Sequence, residues 1–199
     1  MSLDPDTIEA QLRARLSRTR FAHTMRVVAV AEALARRHGA DLYQVRIAAL
    51  LHDLARDLEG PELLNKATEY GILVDEIEAR EPVVLHARVG AAEARHRLGV
   101  RDPLILQAVE RHTTGAPGMT MLDTIIYVAD HIEPGRDSPG VGDVREAAAG
   151  DLNRALVLAM NGCLGLCIRE NRPIHPRTVE ARNEALNNLA ATDHCRTDQ

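Results

Sequence analysis

The fold class predicted by this sequence is all-α, a bundle of about ten helices with no sheet, and three observations predict it. The 199 residues are 45% hydrophobic yet hold one Phe, three Tyr and no Trp, so aliphatic residues must fill the core in a chain otherwise rich in the helix formers Ala, Leu, Glu, Arg and Gln. Apolar residues recur every three or four positions, and no segment alternates with period two over strand length. Asp-Pro, Thr and Gly fall where such helices would begin and end. One core and a single domain over 1–199 suit this length.

Asp4 and Pro5 supply an N-cap and a first-turn proline for a short amphipathic helix from Thr7 to Leu16. The run from Arg18 to His38 keeps helical spacing and stops at Gly39. Asp41 caps a third helix through Val45, Ile47, Ala48, Leu50 and Leu51 to the doublet His52-Asp53. Pro61 to Tyr70 is a fourth, closed by Gly71, while Val74 to Glu81 is short and polar and Pro82 breaks it. A helix from Val83 carries His86 near its start and ends before Gly99. Asp102-Pro103 repeats the cap-plus-proline signal and opens a helix with His112 at its C-terminal edge. Thr120 caps a helix that Pro134 ends, and a loop rich in Gly and Pro follows. Asp151 to Glu170 is a long helix. The polar connector NRPIHPRT leads to a last helix from Val179 to Ala190, and residues 191–199 read as a frayed tail.

Composition excludes several classes. A formal net charge of -5 argues against bulk nucleic-acid binding. Almost all positive charge is arginine, the residue that grips phosphate in bidentate fashion. Cys163, Cys167 and Cys195 form neither a secreted disulfide framework nor a zinc ribbon, and the first two read as small core residues. No apolar run has signal-peptide or membrane-spanning length, so no membrane contact is expected and the protein is placed in the cytoplasm.

Five helices each put His or Asp near an end or on a mainly apolar face: His23, His52 with Asp53, His86, His112 and Asp130. Such groups are hard to bury without a partner, and a shared metal is one. The His-Asp doublet alone is a weak signal. Imidazole with carboxylate suits Fe, Mn, Zn or Ni, and the lack of thiolates opposes structural zinc. Asp53 could bridge two ions, His23, His52 and Asp130 completing one shell and His86 and His112 the other. Such a pair would clamp a phosphoryl group and activate water, which points to phosphate-ester or anhydride hydrolysis.

The motifs FAHT (Phe21 to Thr24), LLHDLAR (Leu50 to Arg56), LHARVGA (Leu85 to Ala91), HTTG (His112 to Gly115), LDTIIYVADHIEPGR (Leu122 to Arg136) and IHP (Ile174 to Pro176) resemble the HD superfamily of all-helical, metal-dependent phosphohydrolases. Within it they are similar to the YqeK-type branch, symmetrical bis(5'-nucleosyl)-tetraphosphatases that split diadenosine tetraphosphate into two ADP. The resemblance runs from about Arg18 to Ala185. It implies an HD-domain bundle, a metal shell of His23, His52, Asp53 and Asp130, His86 and His112 for a second ion or the scissile phosphates, and iron as the metal. Asp53, His86 and His112 are then the expected catalytic residues. Many members carry Lys where Arg56 stands, and Arg56 keeps the charge for phosphate binding while being a poor proton donor.

The implied reaction is attack of metal-bound hydroxide on an inner phosphorus, in line with departing ADP. Arg20, Arg56 and Arg136 are the nearest cations to disperse the charge. Thr113 could donate a hydroxyl to phosphate, Ile174, His175 and Thr178 could wall the nucleotide, and Asp123 could orient a ligand from behind. With His23, His86, His112 and Asp130 these form the expected substrate site. His38, His96 and His194 read as surface residues. Dinucleoside polyphosphate is the expected partner, and a homodimer is left open. Another HD nucleotidase or alarmone hydrolase is the alternative, and a non-catalytic nucleotide sensor a third reading, opposed by the presence of all six presumed ligands.

Overall fold

The computed structural model describes residues 3–197, with side chains described to residue 190. Among the described residues there are eleven α-helices, one 3-10 turn and no strand. They are α1 (Pro5–Arg15), α2 (Arg18–His38), α3 (Leu42–Leu51), α4 (Gly60–Glu69), α5 (Glu76–Arg80), the 3-10 turn (Pro82–Leu85), α6 (His86–Arg97), α7 (Pro103–Arg111), α8 (Met121–Ile132), α9 (Val141–Gly150), α10 (Leu152–Arg169) and α11 (Pro176–Thr197).

Short polar side chains set most of the starts. Asp4, Ser17, Asp41, Asp75, Asp102, Thr120 and Asp151 each accept backbone N–H groups in the first turn of the helix they precede, which stabilises each helix by ~1 kcal/mol. Helix α3 is the hub of the packing and lies against α1, α2, α6, α7 and α8. Its residues Ile47, Ala48, Ala49, Leu50 and Leu51 are all 0% exposed, as a run apolar on every face must be. On the far side, α10 packs against α8, α9 and α11. No helix of the described residues is long and apolar enough to cross a membrane.

Several elements differ from expectation. Helix α9 occupies part of what the sequence predicts as loop and unassigned chain, because Gly140, Gly142 and Gly150 hide a helix-forming REAAA run at Arg145 to Ala149. The polar stretch before Pro82 contains a helical turn, α5, held by a reciprocal capping box between Asp75 and Glu78. Val83 and Val84 lie in the 3-10 turn rather than in α6, which begins at His86 itself. Helix α11 starts at Pro176 and continues in its backbone to Thr197, past the Ala190 end that the sequence suggests. The side chains of the expected tail, His194 and Cys195 included, lie outside the described residues.

Cys163 and Cys167 are half-buried, not core, because the last turns of α10 run beyond the packed interior and leave Ile168 66% exposed. His96 is exposed and stacks on Tyr70, whereas His38 is half-buried and bonds the Ala148 carbonyl at 2.9 Å, joining α2 to α9.

Because Leu51 is fully buried one residue before the doublet, Leu51→Ala is expected to cost about 2–5 kcal/mol. A chemical-denaturation curve with a lower midpoint and unchanged slope checks this, and a loss under about 1 kcal/mol would remove α3 from the centre of the packing.

Candidate metal centre

The six expected ligands converge from five elements. His23 comes from the second turn of α2, His52 caps the end of α3, Asp53 follows in the next turn, His86 opens α6, His112 caps α7, and Asp130 lies near the end of α8. Two groups of three form: His23, His52 and Asp130, and Asp53, His86 and His112, with the ligand atoms of each within 4.8 Å of one another. Asp53 joins them. Its Oδ2 lies 3.5 Å from His23 Nε2 and 3.4 Å from His52 Nε2, while Oδ1 lies 3.2 Å from His86 Nε2 and 3.6 Å from His112 Nε2. Asp130 Oδ1 is 3.1 Å from His23 Nε2.

Each imidazole is anchored from behind. His52, His86 and His112 donate from Nδ1 to the carbonyls of Ala49, Val83 and Val109, three residues earlier, at 2.7, 2.5 and 2.7 Å. His23 Nδ1 lies 3.2 Å from Glu133 Oε1. A carbonyl or carboxylate only accepts, so the Nδ1 proton is fixed and each neutral ring turns an Nε2 lone pair inward. Those nitrogens face each other at 3.3 Å (His23 and His52) and 3.0 Å (His86 and His112). Facing lone pairs repel unless a proton or cation lies between them. This donor set, nitrogen and carboxylate with no sulfur, therefore fits one or two transition-metal ions.

When protons rather than an ion lie on the inner nitrogens, the same contacts become hydrogen bonds to Asp53: burial alone would raise it, but the His52 charge and hydrogen bonds from His112, His52 and His86 hold it well below the usual carboxylate range. Asp130 is likewise held down, against burial, by His23, His52 and Arg136. Burial would lower His52, yet Asp53 and Asp130 outweigh it and raise it, whereas burial dominates at His86 and lowers it.

The centre floors a cleft of about 310 Å³ lined also by Arg20, Arg56, Val83, Val84, Thr113, Tyr127, His131, Arg136, Cys163 and Arg172. Arg20 Nη1 holds Asp53 Oδ2 at 2.6 Å, and Arg136 Nη2 holds Asp130 Oδ1 at 2.6 Å. Thr113 Oγ1 stands 3.2 Å from both His86 Nε2 and His112 Nε2. The HTTG end is shaped by Gly115, where a Cβ would sit 2.7 Å from Met160 Cε and the φ is +68°.

Some expected neighbours lie elsewhere. Of the connector, Arg172 lines the cleft, whereas Ile174, His175 and Thr178 do not. His175 turns to α5, its Nδ1 accepting from the Arg177 N–H and its Nε2 3.0 Å from Asp75 Oδ2. With Glu78 these make a third His-acid group, but Asp75 Oδ1 already caps α5 and both Glu78 oxygens hold Arg88. Asp123 neither orients a ligand nor faces water. It is buried in the capping box of α8 and accepts from Gln107 at 2.8 Å and the Thr120 N–H at 2.9 Å.

Sequence reasoning missed Arg172 and Glu133. Glu133 is 2% exposed and also accepts from Arg26 Nε at 2.5 Å and the Gly135 N–H at 2.7 Å. Burial would raise it, but Arg26, Gly135 and His23 hold it down to about 2. Its only linear signal was its place inside the HIEPGR run.

The model of the HD domain family matches residues 20–135. The chain is 38% identical over 177 residues to the Bacillus subtilis (strain 168) protein named bis(5'-nucleosyl)-tetraphosphatase, symmetrical, covering 87% of this chain and 93% of that one. A protein of the same name from Halalkalibacterium halodurans is 35% identical over 175 residues, covering 88% and 93%. A crystal structure from Clostridium acetobutylicum, described as a predicted HD superfamily hydrolase involved in NAD metabolism, superposes with a TM-score of 0.90 at 35% identity, covering 94% of this chain and all of that one.

Imidazolium cannot ligate, and His52 is the ring whose proton affinity the site raises, so metal uptake must displace protons and weaken as pH falls. Mn²⁺ titrations of the metal-stripped chain between pH 7.5 and about 5.5 should show falling affinity and proton release. His52→Ala should abolish tight binding, and a pH-independent affinity would exclude imidazole ligation.

Proposed function

The chain belongs to the HD domain family, and from that premise we propose that it hydrolyses diadenosine tetraphosphate and related dinucleoside polyphosphates symmetrically, to two nucleoside diphosphates. The observation that carries this reading is the convergence of all six expected ligands at one place, with Asp53, His86, His112 and Asp130 lining an arginine-rich cleft, in a chain whose named relatives it matches over nearly their whole length. His23, His52 and Asp130 would hold one ion, His86 and His112 a second, and Asp53 would serve both. Ions bound there would supply a nucleophile from water at neutral pH and neutralise charge on the attacked phosphate. Iron is the metal the family resemblance implies.

The chain's own groups then bind and orient the polyphosphate. Arg20 and Arg56 lie close enough for Arg20 to depress the Arg56 guanidinium, after burial, while leaving it a cation. Arg136 and Arg172 enter from loops after α8 and α10. Four guanidinium groups around one centre match a chain of four phosphates, each able to take two oxygens at once. Thr113 adds a hydroxyl beside the centre, and Val83 and Val84 offer an apolar wall for a nucleoside. The departing ADP leaves as an anion, so fixed cations suffice for it and an arginine at position 56 needs to give up no proton. The free thiols of Cys163 and Cys167 and a nucleotide substrate suit a reducing cytoplasm.

Given diadenosine tetraphosphate, the metal-loaded chain is expected to release ADP alone, as chromatography of the products will show. AMP with ATP would refute central cleavage, and preference for mononucleotides across a substrate panel would favour another HD nucleotidase. Arg136→Ala should lower kcat/KM by about 10²–10³-fold, the range for losing one fixed charge-stabilising donor, and an unchanged value would remove Arg136 from the phosphate clamp.

A further inference from the structure

We infer that Glu133 is a positioning residue for this centre, fixing His23 so that the His23–His52–Asp130 half takes its ion more tightly than the other half. The inference rests on the metal centre proposed above. His52, His86 and His112 all stand at helix boundaries, where the carbonyl three residues earlier can receive the Nδ1 proton. His23 lies inside α2, whose carbonyls are taken up by the helix ladder. Its Nδ1 needs an acceptor from another element.

Glu133 meets that need from one turn beyond Asp130, so the end of α8 supplies both a ligand and the group behind a ligand. The carboxylate is clamped on the other side. Oε2 accepts from Arg26 Nε at 2.5 Å and the Gly135 N–H at 2.7 Å, while Oε1 accepts from Arg26 Nη2 at 3.3 Å and lies 3.2 Å from His23 Nδ1. A Cβ at Gly135 would lie 2.8 Å from Arg26 Nη2 and 2.9 Å from Glu133 Oε1, so any larger residue there would have to push this ion pair aside. A carboxylate behind an imidazole, even one paired with an arginine, makes its far nitrogen a stronger ligand than a neutral carbonyl does. Only one of the four rings has that advantage, which makes the two halves unequal.

The rival reading is that Glu133 serves only as the ion-pair partner of Arg26. Mn²⁺ titration calorimetry on the metal-stripped full chain separates the two. Glu133→Gln is expected to weaken the tighter binding step by about 10–100-fold and leave any weaker step within about threefold of wild type. Arg26→Met, which breaks the ion pair while the Gly135 N–H still holds the carboxylate, should keep the tighter step within about threefold. Circular dichroism of the metal-free proteins verifies folding. Should Glu133→Gln not fold, Glu133→Asp is read instead, and its shorter reach must also weaken the tighter step. Wild-type affinity in the Glu133 variant, or equal weakening by both substitutions, overturns the inference alone. A wild-type chain that takes up no Mn²⁺ overturns the metal centre and this inference together.

Discussion

Every ring at the centre is buried with its outer nitrogen bonded, which fixes the inner nitrogen as the one free to ligate, and much of the fold follows from meeting that need. Burying imidazoles and carboxylates removes their water, and each unpaired polar group then costs ~1–3 kcal/mol. The described structure answers from outside the cluster: three carbonyls and one carboxylate receive the Nδ1 protons. Inside it, Asp53 divides its two oxygens between two pairs of nitrogens. The negative charge this leaves in the cluster is offset by Arg20 and Arg136 at the rim.

Short helices make the arrangement reachable. Helices α3, α6, α7 and α8 have 9 to 12 residues, so their ends rather than their middles meet in the interior of the bundle. At a helix end a carbonyl has no intrahelical partner and a side chain can turn inward without displacing a backbone hydrogen bond. The all-apolar run of α3 drives itself into the core and carries His52 and Asp53 with it. Hydrophobic burial thus places the polar groups, and hydrogen bonds orient them.

What was legible in the sequence divides along the same line. Caps and periodicity located most helices because those signals act within a few residues, as at Asp41, Asp102 and Thr120. Helix α9 escaped because glycines at 140, 142 and 150 bracket it, although its REAAA run argued for a helix. The six candidate ligands were legible because His and Asp at the edges of apolar helices are few. Glu133 was not, since a carboxylate beside a Pro-Gly turn looks solvated until α2, 110 residues away, is packed against it. Asp123 failed in the opposite sense: the helical spacing that aligned it with Asp130 also made it the third residue of a capped helix, and the local role won. His175 likewise found a partner in α5, an element whose position no local pattern reveals.

An unequal centre is compatible with a symmetrical product. Diadenosine tetraphosphate has two identical halves, so either can enter first and the site gains nothing from being two-fold itself. What it must fix is register, the phosphate that lies over the ions. Register is set by charges spaced along the cleft rather than by any one contact, because each phosphate repels its neighbours and relaxes only where cations are held. Arg20 and Arg136 are bound to Asp53 and Asp130, so the positions of these two charges are tied to the candidate ligands themselves. A phosphate chain seated on those guanidinium groups is thereby indexed against the same two carboxylates that would hold the ions. Binding in the right register and presenting the scissile bond to the centre become one geometric condition.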